Sequence, residues 1–366
     1  MLGIELVLFL ALLRLLVRHK PTSAAALLLL FPLAPQDARP ARADGLTWVG
    51  LPDAPALASV DRLGTWKVGA AGPAVKHWIV EADKKYVPFD GAPKTSLFRG
   101  TLPFPQTTWA SATVEVTQLL FPVEHGFAAR YHVMNHGDSP TTFRLLVGLG
   151  DDAGGKREGR LLTAGGKPVV IAAAAPVEGS GDALAFDLSI EPGASKFVLV
   201  TTPELEGKLA EDALDLAAAR WESLLGGQRL SLPDAALTAK YCADLAGDRL
   251  GVKGCAQELE KVRARLFRKE GDALRILPEA PEAWMLGTIV ARNVPTEFGP
   301  LTLEFEGAFN SRMIELGADC KPPGGFILEI PKVLLAVVDG KKAEPKEGLL
   351  RVPAGTRTVE MPRRDD

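Results

Sequence analysis

At 366 residues the chain is long enough for two or three ordinary domains, because single cores stop growing at a few hundred residues. With 47% hydrophobic and 24% charged residues it is too apolar for overall disorder, and 36 Gly and 28 Pro suit a fold of many short strands joined by turns. The 42 Lys and Arg nearly balance 45 Asp and Glu, and a net charge of −3 offers no broad basic surface, which argues against a nucleic-acid partner.

Residues 1–43 read as a targeting leader. Two apolar stretches, 2–17 and 24–34, are separated by Arg18, His19 and Lys20, and the second is followed by Ala41-Arg42-Ala43, a small-x-small site of the kind signal peptidase reads. The pattern predicts cleavage after Ala43 and export to the periplasm or beyond. The first stretch carries Glu5 and Arg14 and falls short of the roughly 20 residues a spanning helix needs, so it reads as a start-site extension. The alternative is a retained anchor; either way, contact with a membrane runs through the leader alone.

From 44 to 203 the chain reads as an N-terminal β-sandwich, with strands at 64–68, 76–81, 112–121, 127–135, 141–149 and 195–201. Thr113, Glu115 and Thr117 alternate with Val114 and Val116, which gives one wet and one buried face. The turns His125-Gly126 and His136-Gly137-Asp138 bracket the next strand and make a meander. Strands without intervening helices imply a sandwich or barrel. Gly154-Gly155 and Gly165-Gly166 lack the lysine and following helix of a phosphate loop and read as hairpin turns.

The segment 204–272 changes period. Over 206–225, Leu209, Ala213, Leu214, Ala217, Ala218, Trp221, Leu224 and Leu225 recur at three- and four-residue steps and form one apolar stripe on a helix that Gly226-Gly227 ends. A second helix starts at Pro233-Asp234 and runs to about 245; a third spans 256–269, with Leu259, Val262 and Leu266 as its apolar row. From 273 to 366 strands return at 301–306, 326–330 and 333–338, the last running into the hairpin signal Asp339-Gly340. The expected fold is mainly β, two β-sandwich domains flanking a short α-helical segment. Cys242, Cys255 and Cys320 make no disulfide framework; either Cys242 pairs with Cys255 or all three are buried thiols. Five scattered histidines, one of them in the leader, form no ligand set, and neither a metal nor a cofactor is expected.

Ala218-Ala219-Arg220-Trp221-Glu222-Ser223-Leu224-Leu225 with Leu232-Pro233-Asp234, the turn Asn135-His136-Gly137-Asp138, the run Ala256-Gln257-Glu258-Leu259, and Leu277-Pro278, Pro281, Trp284 and Asn293-Val294-Pro295-Thr296-Glu297-Phe298-Gly299-Pro300 together resemble (α/α)6 glycoside hydrolases and related phosphorylases. The resemblance implies an N-terminal sandwich, a helical toroid and a C-terminal sandwich, with oligo- or polysaccharide as the partner. Twelve toroid helices need on the order of 180 residues, and 204–272 has room for about three. Most of the toroid is therefore missing, and with it the region that supplies acid and base in those enzymes.

Inverting hydrolysis needs two carboxyl groups roughly 6.5 to 9.5 Å apart, one protonated and one ionised. Among the acids of the helices, Glu222, Asp234, Asp244, Glu258 and Glu260, the ordinary reading is a solvated face, with Glu258 placed to pair with Lys261. Glu258 is also the catalytic candidate, because the helix it resembles faces the toroid interior. Trp221 and Trp284 are candidates for stacking on a sugar, set against plain core packing. The expectation is an exported, glycosidase-like protein associated with carbohydrate but without a complete catalytic domain. The alternatives are a non-catalytic interaction or structural module of the cell envelope, and an internally deleted enzyme whose remaining helices would expose their apolar stripes.

Overall fold

The alternation at 113–117 becomes the first half of the strand Val114–Val123, where Val114 and Val116 enter an apolar interior. Beyond Gln118 the alternation stops. Leu120 continues inward, while Leu119 and Phe121, on the opposite face, are buried as well, in a second core that contains the helices. One sheet thus has two covered faces at one end, and the molecule is arranged around that fact.

The computed structural model describes residues 43–362 apart from 44, 53, 55, 70, 91, 151–152, 178–180, 310 and 332–333. The expected leader, Ala43 excepted, lies outside these residues. The first sandwich pairs two sheets. One runs in the order Leu46–Val49, Ala58–Asp61, Trp66–Val68, Val75–Glu81, Thr141–Leu149, Ala183–Ile190, with Lys84–Tyr86 beside Val75–Glu81. The other has eight strands in the order Gly155–Glu158, Leu161–Ala164, Lys167–Ala172, Ser195–Thr201, Gly126–Asn135, Val114–Val123, Leu102–Ala110, Lys94–Phe98. Trp66, Ile79 and Phe143 of one meet Trp109, Tyr131 and Val133 of the other. Gly165 and Gly166, both at positive φ, form the two-residue turn between Ala164 and Lys167 that the doublet predicts. The Asn135 side chain pins its turn from inside: Nδ2 donates to the carbonyls of Ile190 (2.9 Å) and Ser139 (2.8 Å), and Oδ1 accepts from Gly137 N–H (2.9 Å).

Three helices follow: α1, Ala213–Leu225; α2, Ala235–Arg249; and α3, Cys255–Leu266. Helix α1 begins later than the predicted 206 because Pro203–Leu205 is a separate 3-10 turn and Gly207 sits at φ +66°, outside the right-handed helical region. Asp234 caps α2, its Oδ1 accepting from Leu237 N–H at 2.9 Å. Helix α3 stops short of the predicted 269, since Phe267 is already extended and starts the strand Phe267–Glu270.

The second sandwich also has two sheets: Arg229–Ser231, Thr288–Thr296, Gly299–Ala308, Ser311–Leu316, Thr358–Pro362, Ala336–Val338, Lys341–Ala343; and Phe267–Glu270, Ala273–Ile276, Phe326–Glu329, Leu349–Val352. Asp339 and Gly340, both at positive φ, make the predicted hairpin turn. The segment 204–272 thus contributes a strand to each sheet of this sandwich, Arg229–Ser231 to one and Phe267–Glu270 to the other. Cys242, Cys255 and Cys320 are buried thiols, none in a disulfide, so the alternative of a Cys242–Cys255 bridge does not hold. Among the described residues no helix is long and apolar enough to cross a membrane.

A single continuous core joins the outer face of the eight-stranded sheet (Leu102, Phe104, Phe121), all three helices and the interior of the second sandwich (Ile289, Phe305, Phe326). Trp221 belongs to it, fully buried, with its indole N–H donating to the carbonyl of Gly50 at 3.0 Å. Trp221→Ala should therefore cost about 3 to 5 kcal/mol in urea unfolding, from the lost burial and the cavity together; a cost below about 1 kcal/mol would contradict this placement.

Candidate functional site

Where α2 crosses the rim of the first sandwich it leaves a cleft of about 350 Å³. Asp61, Arg62 and Thr107 line it from the sandwich, and Lys240 and Asp244 from the helix, past the small side chains of Ala236, Ala239 and Ala243. The helix periodicity accounts for the placement, since 236, 239, 240 and 243 recur at three- and four-residue steps.

Lys240 organises the charges. Its ammonium donates to Asp244 Oδ2 at 2.9 Å, one turn along α2, and to Glu258 Oε2 at 2.8 Å, across on α3. Glu258 Oε1 accepts from Lys261 at 2.5 Å, the i,i+3 pairing expected from the sequence. Asp244 is only 7% exposed and Glu258 22%. Hydrogen bonds from Lys240 and then Lys261 hold the Glu258 carboxyl down at about 2, far below the usual carboxylate range. A general acid must keep its proton near neutral pH; Glu258 does the opposite. Two oxygens sharing one nitrogen at 2.9 and 2.8 Å are also closer than the roughly 6.5 Å that an inverting pair needs to admit a water, and an ammonium fills the space between them.

The remaining acids singled out in the sequence are engaged as well. Glu222 accepts from Arg99 at 3.0 Å, Glu260 from Arg263 at 2.7 Å, and Asp234 is the cap of α2. The two tryptophans are interior: Trp221 packs as described above, and Trp284, in the 3-10 turn Glu282–Leu286, is 4% exposed within the same core. Neither offers a ring face to a ligand at the surface. His125 and His136 do not join the cleft, and among the described residues no group of three His, Cys, Asp or Glu is placed to hold a metal. The residue that sequence reasoning passed over is Lys240; its i,i+4 spacing from Asp244 was a readable signal, its reach to Glu258 was not.

No protein-family model matches the chain, and no curated protein matches it in sequence. Among solved structures, one described as a kojibiose phosphorylase from the human microbiome aligns over 50% of this chain and 32% of its own, with a TM-score of 0.26 and 9% identity. The chain therefore spans about a third of that protein, and the likeness is too loose to carry an argument.

Because the folded Glu258 carboxyl ionises near 2 against an ordinary 4.5, its ion pairs stabilise the fold fully above pH 4.5 and lose that effect as pH falls towards 2. Glu258→Gln should lower the melting temperature at pH 7 by a margin that shrinks between pH 4.5 and 2. Lys240→Met, which removes the ammonium that Asp244 and Glu258 share, should lower it further. An equal margin for Glu258→Gln at both ends of that pH range contradicts the ion-pair assignment.

Proposed function

We propose that this chain is an exported, glycosidase-like scaffold that associates with carbohydrate without hydrolysing it. The observation that carries the non-hydrolytic part is the Glu258 carboxylate, both of whose oxygens are bound by lysine ammonium groups. The best catalytic candidate is thereby a clamp between α2 and α3. Trp221 and Trp284, the candidates for stacking on a sugar, are spent on packing, so the carbohydrate part of the reading does not rest on them. The carbohydrate part is supported by the sequence segments flanking the helices, which resemble those around the toroid of (α/α)6 glycosidases, and export by the leader pattern ending at Ala43.

Two measurements separate this from its rivals. Purified chain incubated with neutral and acidic oligosaccharides should release no reducing sugar above a buffer blank, and Glu258→Gln should change nothing in that assay, while a glycan array should show binding. Turnover that disappears in Glu258→Gln would overturn the non-hydrolytic reading. No glycan binding, together with co-purification of a cell-envelope protein, would instead favour the interaction module.

A further inference from the structure

A second cleft, of about 390 Å³, lies between the outer face of the eight-stranded sheet and the connection at 205–214 that leads into α1. Its polar walls are Arg130, Arg160 and Thr201, with Glu206 and Glu211 on the connection; Leu199 and Ile171 are among its apolar ones.

The two arginines reach the cleft from opposite sides of the strand that carries Leu199. Arg130 is its cross-strand partner on Gly126–Asn135, and on the other side Ala173 N–H donates to the Leu199 carbonyl at 3.0 Å. The Arg160 guanidinium is fixed at that second position. Its Nε and NH2 donate to the carbonyl of Ala172 at 2.8 and 2.6 Å, and NH2 also to that of Ala173 at 3.0 Å. Both guanidinium-bearing side chains line the cleft, Arg160 held at the Ala172 and Ala173 carbonyls and Arg130 from the neighbouring strand. Among the described residues neither is ion-paired, and the NH1 of Arg160 carries no hydrogen bond.

Two residues along the same face from Leu199, Phe197 lies outside the cleft lining and beside Arg130, 60% exposed. His132 stacks on it at 4.8 Å between ring centroids, and the Arg130 guanidinium lies 5.2 Å from its ring centre. A large apolar ring so exposed, yet held flat by its neighbours, is a ready platform.

These groups select among ligands. A guanidinium plane matches a carboxylate, and the cleft offers two of them. Glu206 and Glu211 accept hydrogens from hydroxyl groups. An exposed aromatic face takes the flat C–H side of a pyranose. We propose that this cleft binds a hexuronate unit of an acidic glycan, with the carboxylate at Arg130 and Arg160, the ring on Phe197, and hydroxyl groups at Thr201, Glu206 and Glu211. The proposal rests on the carbohydrate reading above and names its ligand class and site.

Isothermal titration of the full chain with hexagalacturonate, cellohexaose and a mixed Asp/Glu hexapeptide tests it. Hexagalacturonate should bind best, more weakly as salt is raised, and about ten-fold or more weakly in Arg130→Gln, as expected for loss of a charge-assisted contact. Phe197→Ala should weaken both sugars. Both side chains lie on the open sheet face, so melting curves of the variants serve as folding controls. Hexagalacturonate binding that neither substitution changes overturns the site. Binding of cellohexaose alone, insensitive to both, overturns the site and leaves the carbohydrate reading standing, whereas binding of neither sugar overturns both. Preference for the peptide overturns the site in favour of an acidic protein partner.

Discussion

The eight-stranded sheet cannot end its apolar surface at its own sandwich. Leu102, Phe104, Leu119 and Phe121 project from the outer face, and leaving four large side chains in water would forfeit roughly 1.5 to 3 kcal/mol each. The three helices cover that surface, and the second sandwich covers the helices. Trp221 lies in that joint core, tied by one hydrogen bond to the backbone at Gly50 in the first sandwich. The apolar stripe of α1, which a simple deletion of neighbouring helices would leave exposed, is instead buried at Ala213, Ala217, Trp221 and Leu225.

Once the helices serve as packing between sandwiches, their charges serve the same end. Among the acids on the helices, Asp234 caps α2, Glu222 reaches Arg99 at the end of the strand Lys94–Phe98, and Asp244 and Glu258 share Lys240. Exposed pairs of this kind add little stability singly. The partly buried Lys240 cluster differs, because its ion pairs lie where there is little water to screen them. Any ligand chemistry must then come from the sheet faces and rims, where Arg130, Arg160 and Phe197 remain open to solvent.

Much of this architecture was legible in the residues. Alternation at 113–117, the glycine doublet at 165–166, Asp339-Gly340 and the row Leu259, Val262, Leu266 each translate directly into an observed element. The failures have physical causes. Pro103 and Pro105 mask the strand Leu102–Ala110, which tolerates them because its ladder with Val114–Val123 begins only at Gln106, leaving both prolines on a half paired on one side alone. Phe267 fits a helical period, yet its place beside Ile276 in a ladder overrides that preference. The candidate sites were the least legible part: Lys240 meets Glu258 across two helices, and Arg130, Arg160 and Leu199 converge from strands far apart in the chain. Pairings of that kind are decided by sheet order, which local pattern does not encode.

The central claim is that the two sandwiches and the three helices share one core and fold as one body. Differential scanning calorimetry of the full chain tests it most directly. One transition whose calorimetric and van't Hoff enthalpies agree is the predicted result. Two separated transitions, with the helices melting alongside only one sandwich, would contradict it.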